Sequence, residues 1–128
     1  MYVRFVVHEL DEDSGRKKGV IQALVELADN KTLDMHENAA FEDTYGWLVE
    51  NLKEPYQFSR SKKYHAKNVA LSWFKDSAVE HIAKMRSLIA ILDTHGLQVE
   101  MLRTSRPGYI IYEDEFQVVA EPFAETGA

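Results

Sequence analysis

The residues best equipped for chemistry stand together in "RSKKYHAKN", positions 60 to 68. Arg60, Lys62, Lys63 and Lys67 supply four cations there with no carboxylate among them, and Tyr64 and His65 stand in their midst. Clustered cations hold phosphate and an aromatic ring stacks on a base, so the stretch is a candidate site for single-stranded RNA or a nucleotide. His65 is the catalytic candidate, a proton carrier for RNA cleavage. Arg103 and Arg106, beside "SRPG" at 105 to 108, join that site if the fold brings the two turns together. A plainer role competes with it: lysines at a hairpin tip keep an edge strand from pairing with other chains.

Other reactive types are scattered. The five histidines, His8, His36, His65, His81 and His95, include no pair at i, i+3 or i, i+4, so no local metal motif exists and no metal is expected. His81 falls on the flank of an apolar helical face and reads as a half-buried packing residue with one ring nitrogen bonded. His95 stands in the last turn of the same helix, where a cation complements the helix dipole. Glu113, Asp114 and Glu115 are three carboxylates that can hold a hard cation, but without calcium-loop spacing they read as a solvated hairpin tip. "KDSAVE" at 75 to 80 opens a helix after a strand, a ready anion site, yet Asp76 and Glu80 counter Lys75 and favour a self-capped start. No phosphate loop, nucleophile elbow, Ser-x-x-Lys, Rossmann fingerprint or His-Glu-x-x-His occurs, which lowers the expectation of an enzyme and of a cofactor.

The totals narrow the classes further. At 128 residues the chain fits a single α+β domain over 1–128, with 124–128 a fraying tail. Fifteen cations face 21 carboxylates, a net charge of −6, and outside 59–68 the balance is acidic throughout. That makes duplex DNA an unlikely partner. No apolar run approaches the ~18 residues of a membrane span. The start "MYVRFVVHELDED" reads as a strand and not as a signal peptide. The absence of cysteine excludes disulfides and thiolate chemistry and suits a cytoplasmic setting.

These residues must be positioned by a definite order of elements. Residues 2–10 are rich in β-branched and aromatic types and predict a strand. Val20, Ile21, Leu24, Val25 and Leu27 share one face of a helix over 16–28. A second helix over 34–52 carries the stripe Phe41, Tyr45, Leu48, Val49 and Leu52, with Asp34 and Glu37 as its capping pair. The short connection predicts that these two helices form an antiparallel hairpin. A short strand is expected within 56–60, another over 68–74 with both faces apolar, and a helix from the Ser77–Glu80 capping box to about His95, with Gly96 as left-handed cap. Strands over 97–101, 109–112 and 117–120 complete the order β-αα-(β)-β-α-β-β-β. Pro107 and Gly108 are expected at the centre of a type II turn, the last three strands as an antiparallel meander, and the strand–helix–strand unit as a right-handed crossover. The fold class is a two-layer sandwich: a mixed five- or six-stranded sheet with three helices mainly on one face.

Trp47 projects away from the stripe of its helix, on the side of His36, which makes these two the candidate contacts for a protein partner. The broad apolar surface of the third helix points the same way.

"ALSWFKDSAVEHIAKM", "VEMLRTSRPGYIIYEDEFQVVAEPF" and the opening "YVRFVVHELDEDSGRKKGV" together resemble a family of small bacterial cytoplasmic proteins of unknown function. The resemblance implies a bacterial cytoplasmic setting and carries no activity, cofactor or site residue. The expected function is therefore a non-enzymatic binding domain acting through a protein partner or self-association. RNA or nucleotide binding, with RNA processing, by 60–68 is the alternative.

Overall fold

The structure is a computed structural model, and it describes residues 1–10, 17–53 and 70–123. In chain order the elements are β1 (Tyr2–Leu10), β2 (Lys17–Gly19), α1 (Val20–Asp29), α2 (Met35–Asn51), β3 (Leu71–Lys75), α3 (Val79–Thr94), β4 (Val99–Thr104), β5 (Tyr109–Glu113) and β6 (Gln117–Glu121). The α+β class holds, with three helices and a six-stranded sheet among the described residues. The strand expected within 56–60 and the tail 124–128 lie outside the described residues. Among the described residues no helix is long and apolar enough to cross a membrane.

β1 organises the sheet. β4 runs antiparallel along one side of it, from Tyr2 opposite Thr104 to Val7 opposite Val99. On its other side β3 pairs only at Tyr2 and Val3, and β2 only from Val6 onward. β6 then pairs β3, and β5 pairs β6. Every ladder among the described residues is antiparallel, and β3 and β4 both oppose β1 and so run parallel to each other with β1 between them. This is the expected strand–helix–strand crossover in direction, split by one strand.

Several expectations need correction. Helix α1 begins at Val20, not at 16, because the backbone of Lys17 to Gly19 is hydrogen-bonded in a ladder with β1. Helices α1 and α2 do not pack as a hairpin: α3 lies against both, and they make few contacts with each other. The Ser77–Glu80 capping box does not form, since the helix starts at Val79 with Ala78 as N-cap and no side-chain acceptor. A tight turn has already used the adjacent donors, Ala78 N–H to the Lys75 carbonyl and Val79 N–H to that of Ser77. The three-strand meander is also absent. Only β5 and β6 form a hairpin, while β4 joins the opposite end of the sheet on β1. Arg106 N–H donates to Thr104 Oγ1, and Gly108 has φ +138°, far from the +80° of a type II turn.

That connector limits the shape of the sheet. Crossing from β4 to β5 in a flat sheet takes four strand spacings, about 19 Å. The five residue steps from Thr104 to Tyr109 reach at most about 18 Å. The sheet must curl so that its two edges approach, and both of its faces are buried. Val3, Phe5 and Val7 meet Leu24 of α1, Phe41 of α2 and Leu88 of α3. On the opposite face Val6, Trp73, Val118 and Ala120 are also buried.

Helix ends confirm two local expectations. Asp34 caps α2 in a full capping box, with Glu37 N–H donating to Asp34 Oδ1 at 2.8 Å and Asp34 N–H to Glu37 Oε1 at 3.0 Å. Glu37 Oε2 also lies 2.8 Å from His95 Nε2, tying the start of α2 to the end of α3. After α3, Gly96 takes φ +76°, Gly96 N–H donates to the Asp93 carbonyl and Leu97 N–H to that of Leu92, a Schellman pattern.

Candidate functional site

The change of partner along β1 leaves a gap. Between Val3, where β3 departs, and Val6, where β2 arrives, one side of β1 has no neighbouring strand among the described residues. The Arg4 side chain fills part of it, Nη1 donating to the Ser72 carbonyl at 3.1 Å. Above the gap, α1 and α2 stand apart because α3 separates them. The result is a cleft of about 1120 Å³ between the N-terminal turn of α1 and the C-terminal half of α2.

Its walls divide by polarity. Val20 and Ile21 of α1, Leu48, Val49 and Leu52 of α2 and Met85 of α3 form the helical side, with Phe5 and Phe74 beneath. The sheet supplies Arg4, Ser72, Tyr112 and Gln117 as polar groups, and Gln22, Tyr45 and Lys53 add others from the helical side. Ser72 and Tyr112 face the same side across Val119, and the next row along pairs Phe74 with Gln117. Arg4 and Lys53 are the charged residues of the described lining, which includes neither a carboxylate nor a histidine.

The polar end is held by a buried network. Gln117 is 3% exposed, and its Nε2 donates to the Lys53 carbonyl at 2.6 Å and to Asp114 Oδ2 at 3.1 Å. Asp114 also accepts from the Tyr112 hydroxyl at 2.8 Å and from the backbone N–H groups of Phe116 and Gln117. Burial pushes the Asp114 carboxyl up, but these hydrogen bonds outweigh it and hold the group below the usual carboxylate range. The bond to Asp114 and burial together raise the Tyr112 phenol above its ordinary value. The acidic tip thus does separate jobs: Asp114 shapes the turn, and Glu113 pairs with Lys75 at 2.7 Å. Among the described residues no group of three or more potential ligands is placed to hold a metal ion.

His81 forms a second buried centre beside the cleft. It is 4% exposed, more deeply buried than expected, and its Nε2 lies 2.7 Å from the Asn51 carbonyl at the end of α2. Trp47 meets its ring edge-on at 5.0 Å, Phe116 lies at 4.4 Å and Phe74 at 6.3 Å. Lys84 Nζ stands over the Trp47 ring at 5.2 Å. Together with the Gln117 bond, the His81 bond satisfies carbonyls at the end of α2 that the helix itself leaves unpaired.

Trp47 is therefore half-buried against α3 and used within the fold, while His36 is exposed in the first turn of α2. Arg103 is exposed on β4 opposite Val3. Arg106 is exposed on the connector, its guanidinium 5.1 Å from the Phe123 ring. Arg60, Lys62, Lys63, Tyr64, His65 and Lys67 lie outside the described residues. The cleft residues Arg4, Ser72, Tyr112 and Gln117 carried no motif in the sequence. The one available signal was the width of the α2 stripe, whose Tyr45 and Val49 are 42% and 62% exposed at the cleft.

Compared with protein-family models, curated proteins and solved structures, the chain matches none.

Proposed function

We propose that this chain is a binding domain, and that its working surface is the cleft between α1 and α2. The observation that carries the reading is the opening of about 1120 Å³, mainly apolar on its helical side. That is the size and composition of a site for an organic ligand, with a few polar groups to orient it. Apolar wall exposed to water costs about 25 cal/mol per Å², and an apolar partner that displaces the water recovers it. The described lining sets no histidine or carboxylate against Ser72, and the carboxylate that meets Tyr112, that of Asp114, is engaged in the β5–β6 turn, which favours binding over catalysis. Trp47 is spent within the fold, so the cleft takes its place as the contact surface. The setting in this proposal is the bacterial cytoplasm, on the strength of the sequence resemblance and the lack of cysteine.

Fluorescence of the neutral apolar probe N-phenyl-1-naphthylamine tests it. Wild type should enhance and blue-shift the emission, and Val49→Asp, at an exposed position, should abolish the change while the fold persists by circular dichroism. Equal signals from both proteins would remove the cleft as the site.

The charge distribution keeps a second reading, RNA or nucleotide binding by the four cations of 60–68. A short labelled RNA should then bind more weakly at about 200 than at about 50 mM salt. The change of Lys62 and Lys63 to Glu should abolish that binding. Absence of binding at both salt concentrations would end this reading.

A further inference from the structure

The carboxylates on the two helices that flank the cleft define its partner more closely. We infer that the cleft receives an amphipathic helix of a protein partner, with its apolar face between α1 and α2 and lysines or arginines along its flanks. The inference rests on the binding reading above and adds the class of partner to it.

The apolar walls suit such a helix. Tyr45 and Val49 of α2, one turn apart, and Leu52 at its C-cap line the cleft, which is the spacing that reads a helix laid in a groove. Ile21 of α1 lines it too, and Val25, one turn on, is 39% exposed and continues that face toward solvent.

Charge complementarity names the occupant. Helices α1 and α2 carry Glu26, Asp29, Glu37, Glu42, Asp43 and Glu50 and no lysine or arginine. Glu26 is paired with Lys18, and Glu37 is held by the capping box and by His95. Asp29, Glu42, Asp43 and Glu50 are exposed and form no ion pair among the described residues. Glu42 stands three residues before Tyr45 and seven before Val49, on the same face of α2, and Asp29 stands one turn past Val25 on α1. Lys53 lies beyond the end of α2, about 14 Å along the helix from Glu42, so it leaves that carboxylate unanswered. From Glu42 to Glu50 the acidic flank runs about 12 Å. A single ammonium head answers one carboxylate on such a span, whereas cations on successive turns of a helix answer several. A second copy of this chain fits poorly. Its α1 and α2 are acidic, its α3 sets Lys84 and Arg86 against Glu80 and Asp93, and its net charge is −6.

Two labelled peptides of about 18 residues test the inference by fluorescence anisotropy, with one leucine stripe in common and flanks of lysine in one and glutamate in the other. The lysine peptide should bind about tenfold more tightly than the glutamate peptide, and the difference should shrink as salt is added. The change of Glu42 and Glu50 to Lys should erase or reverse that order, while N-phenyl-1-naphthylamine still responds as in wild type. Val49→Asp separates the groove from charge alone: it adds a negative charge, yet it should release the lysine peptide. Equal binding of that peptide to wild type and Val49→Asp would overturn the inference. Binding of the probe but of neither peptide would overturn it in favour of a small ligand. A wild-type dimer in sedimentation that Val49→Asp dissociates would assign the groove to a second copy instead. If the probe does not bind wild type at all, the binding reading falls and this inference with it.

Discussion

Arg4 and Ser72 meet where the sheet divides, the Arg4 guanidinium donating to the Ser72 carbonyl at 3.1 Å just past the last β1–β3 pair, Val3 with Phe74. A side chain takes over there from the backbone ladder. The cleft exists because that ladder stops, and Arg4 holds its two banks together.

Arg4→Met keeps the apolar stem and removes the charged donor. The expected cost is about 1 to 3 kcal/mol, as for a hydrogen bond from a charged group. Amide exchange should accelerate in β3 and leave β4 unchanged, since β4 pairs with the other side of β1. Uniform acceleration across both strands would show that Arg4 does not act at the fork.

Trp47 packs on His81 and under Lys84, so its loss should be felt by the fold. Trp47→Ala should lower stability by about 1 to 3 kcal/mol, below the about 3 to 5 kcal/mol of a buried aromatic truncation because the ring is only half-buried. Sedimentation of the folded variant should match that of wild type. An unchanged urea midpoint with altered self-association would restore Trp47 as a partner contact.

Gly108 has φ +138°, and a Cβ placed on it would collide with the Glu121 carbonyl. Gly108→Ala should cost about 2 to 4 kcal/mol through strain and overlap. Gly46, within α2, meets nothing within 4 Å, and Gly46→Ala should instead gain about 0.5 to 1 kcal/mol. Thermal melts of the two variants should therefore move in opposite directions. Melts that move together would contradict the close approach at Gly108.

Asp114 links stability to acid. Its folded carboxyl is held below the unfolded value, so its contribution is present above about pH 3.9 and is lost as pH falls through the folded value. Tyr112 acts in the opposite sense: its raised phenol contributes below about pH 10 and loses that contribution as pH rises through the folded value. Urea midpoints of Asp114→Asn should fall less steeply than those of wild type below about pH 4, and those of Tyr112→Phe less steeply above about pH 10. Parallel curves in either limb would exclude the corresponding group.

The legible parts of this protein were those fixed by neighbours in sequence. Asp34 and Glu37 declare a capping box because both partners lie within one turn, and Gly96 declares a Schellman end for the same reason. β1 was visible as a run of β-branched and aromatic residues, and the α2 stripe as a periodicity of 3.6. The Ser77–Glu80 signature failed although it is equally local, because a tight turn from Lys75 to Val79 moves the helix start to Val79, with Ala78 and not Ser77 as N-cap.

The cleft depends on choices that no short stretch contains. Which strand accompanies β1 changes between Val3 and Val6, and α3 lies between two helices joined by a short linker. Those outcomes are set by how buried area is shared among all the elements at once. Ser72, Tyr112 and Gln117 come from three strands, and only the pairing of β3 with β6 and β6 with β5 sets them on one floor. The sequence by itself determined most of the elements, the Asp34 and Gly96 helix ends and the acidic character of the chain, because propensity, capping and charge act over a few residues. The tertiary structure alone decided the fork in the sheet, the burial of His81 and the cleft, because strand pairing and helix packing are settled between residues far apart in the chain.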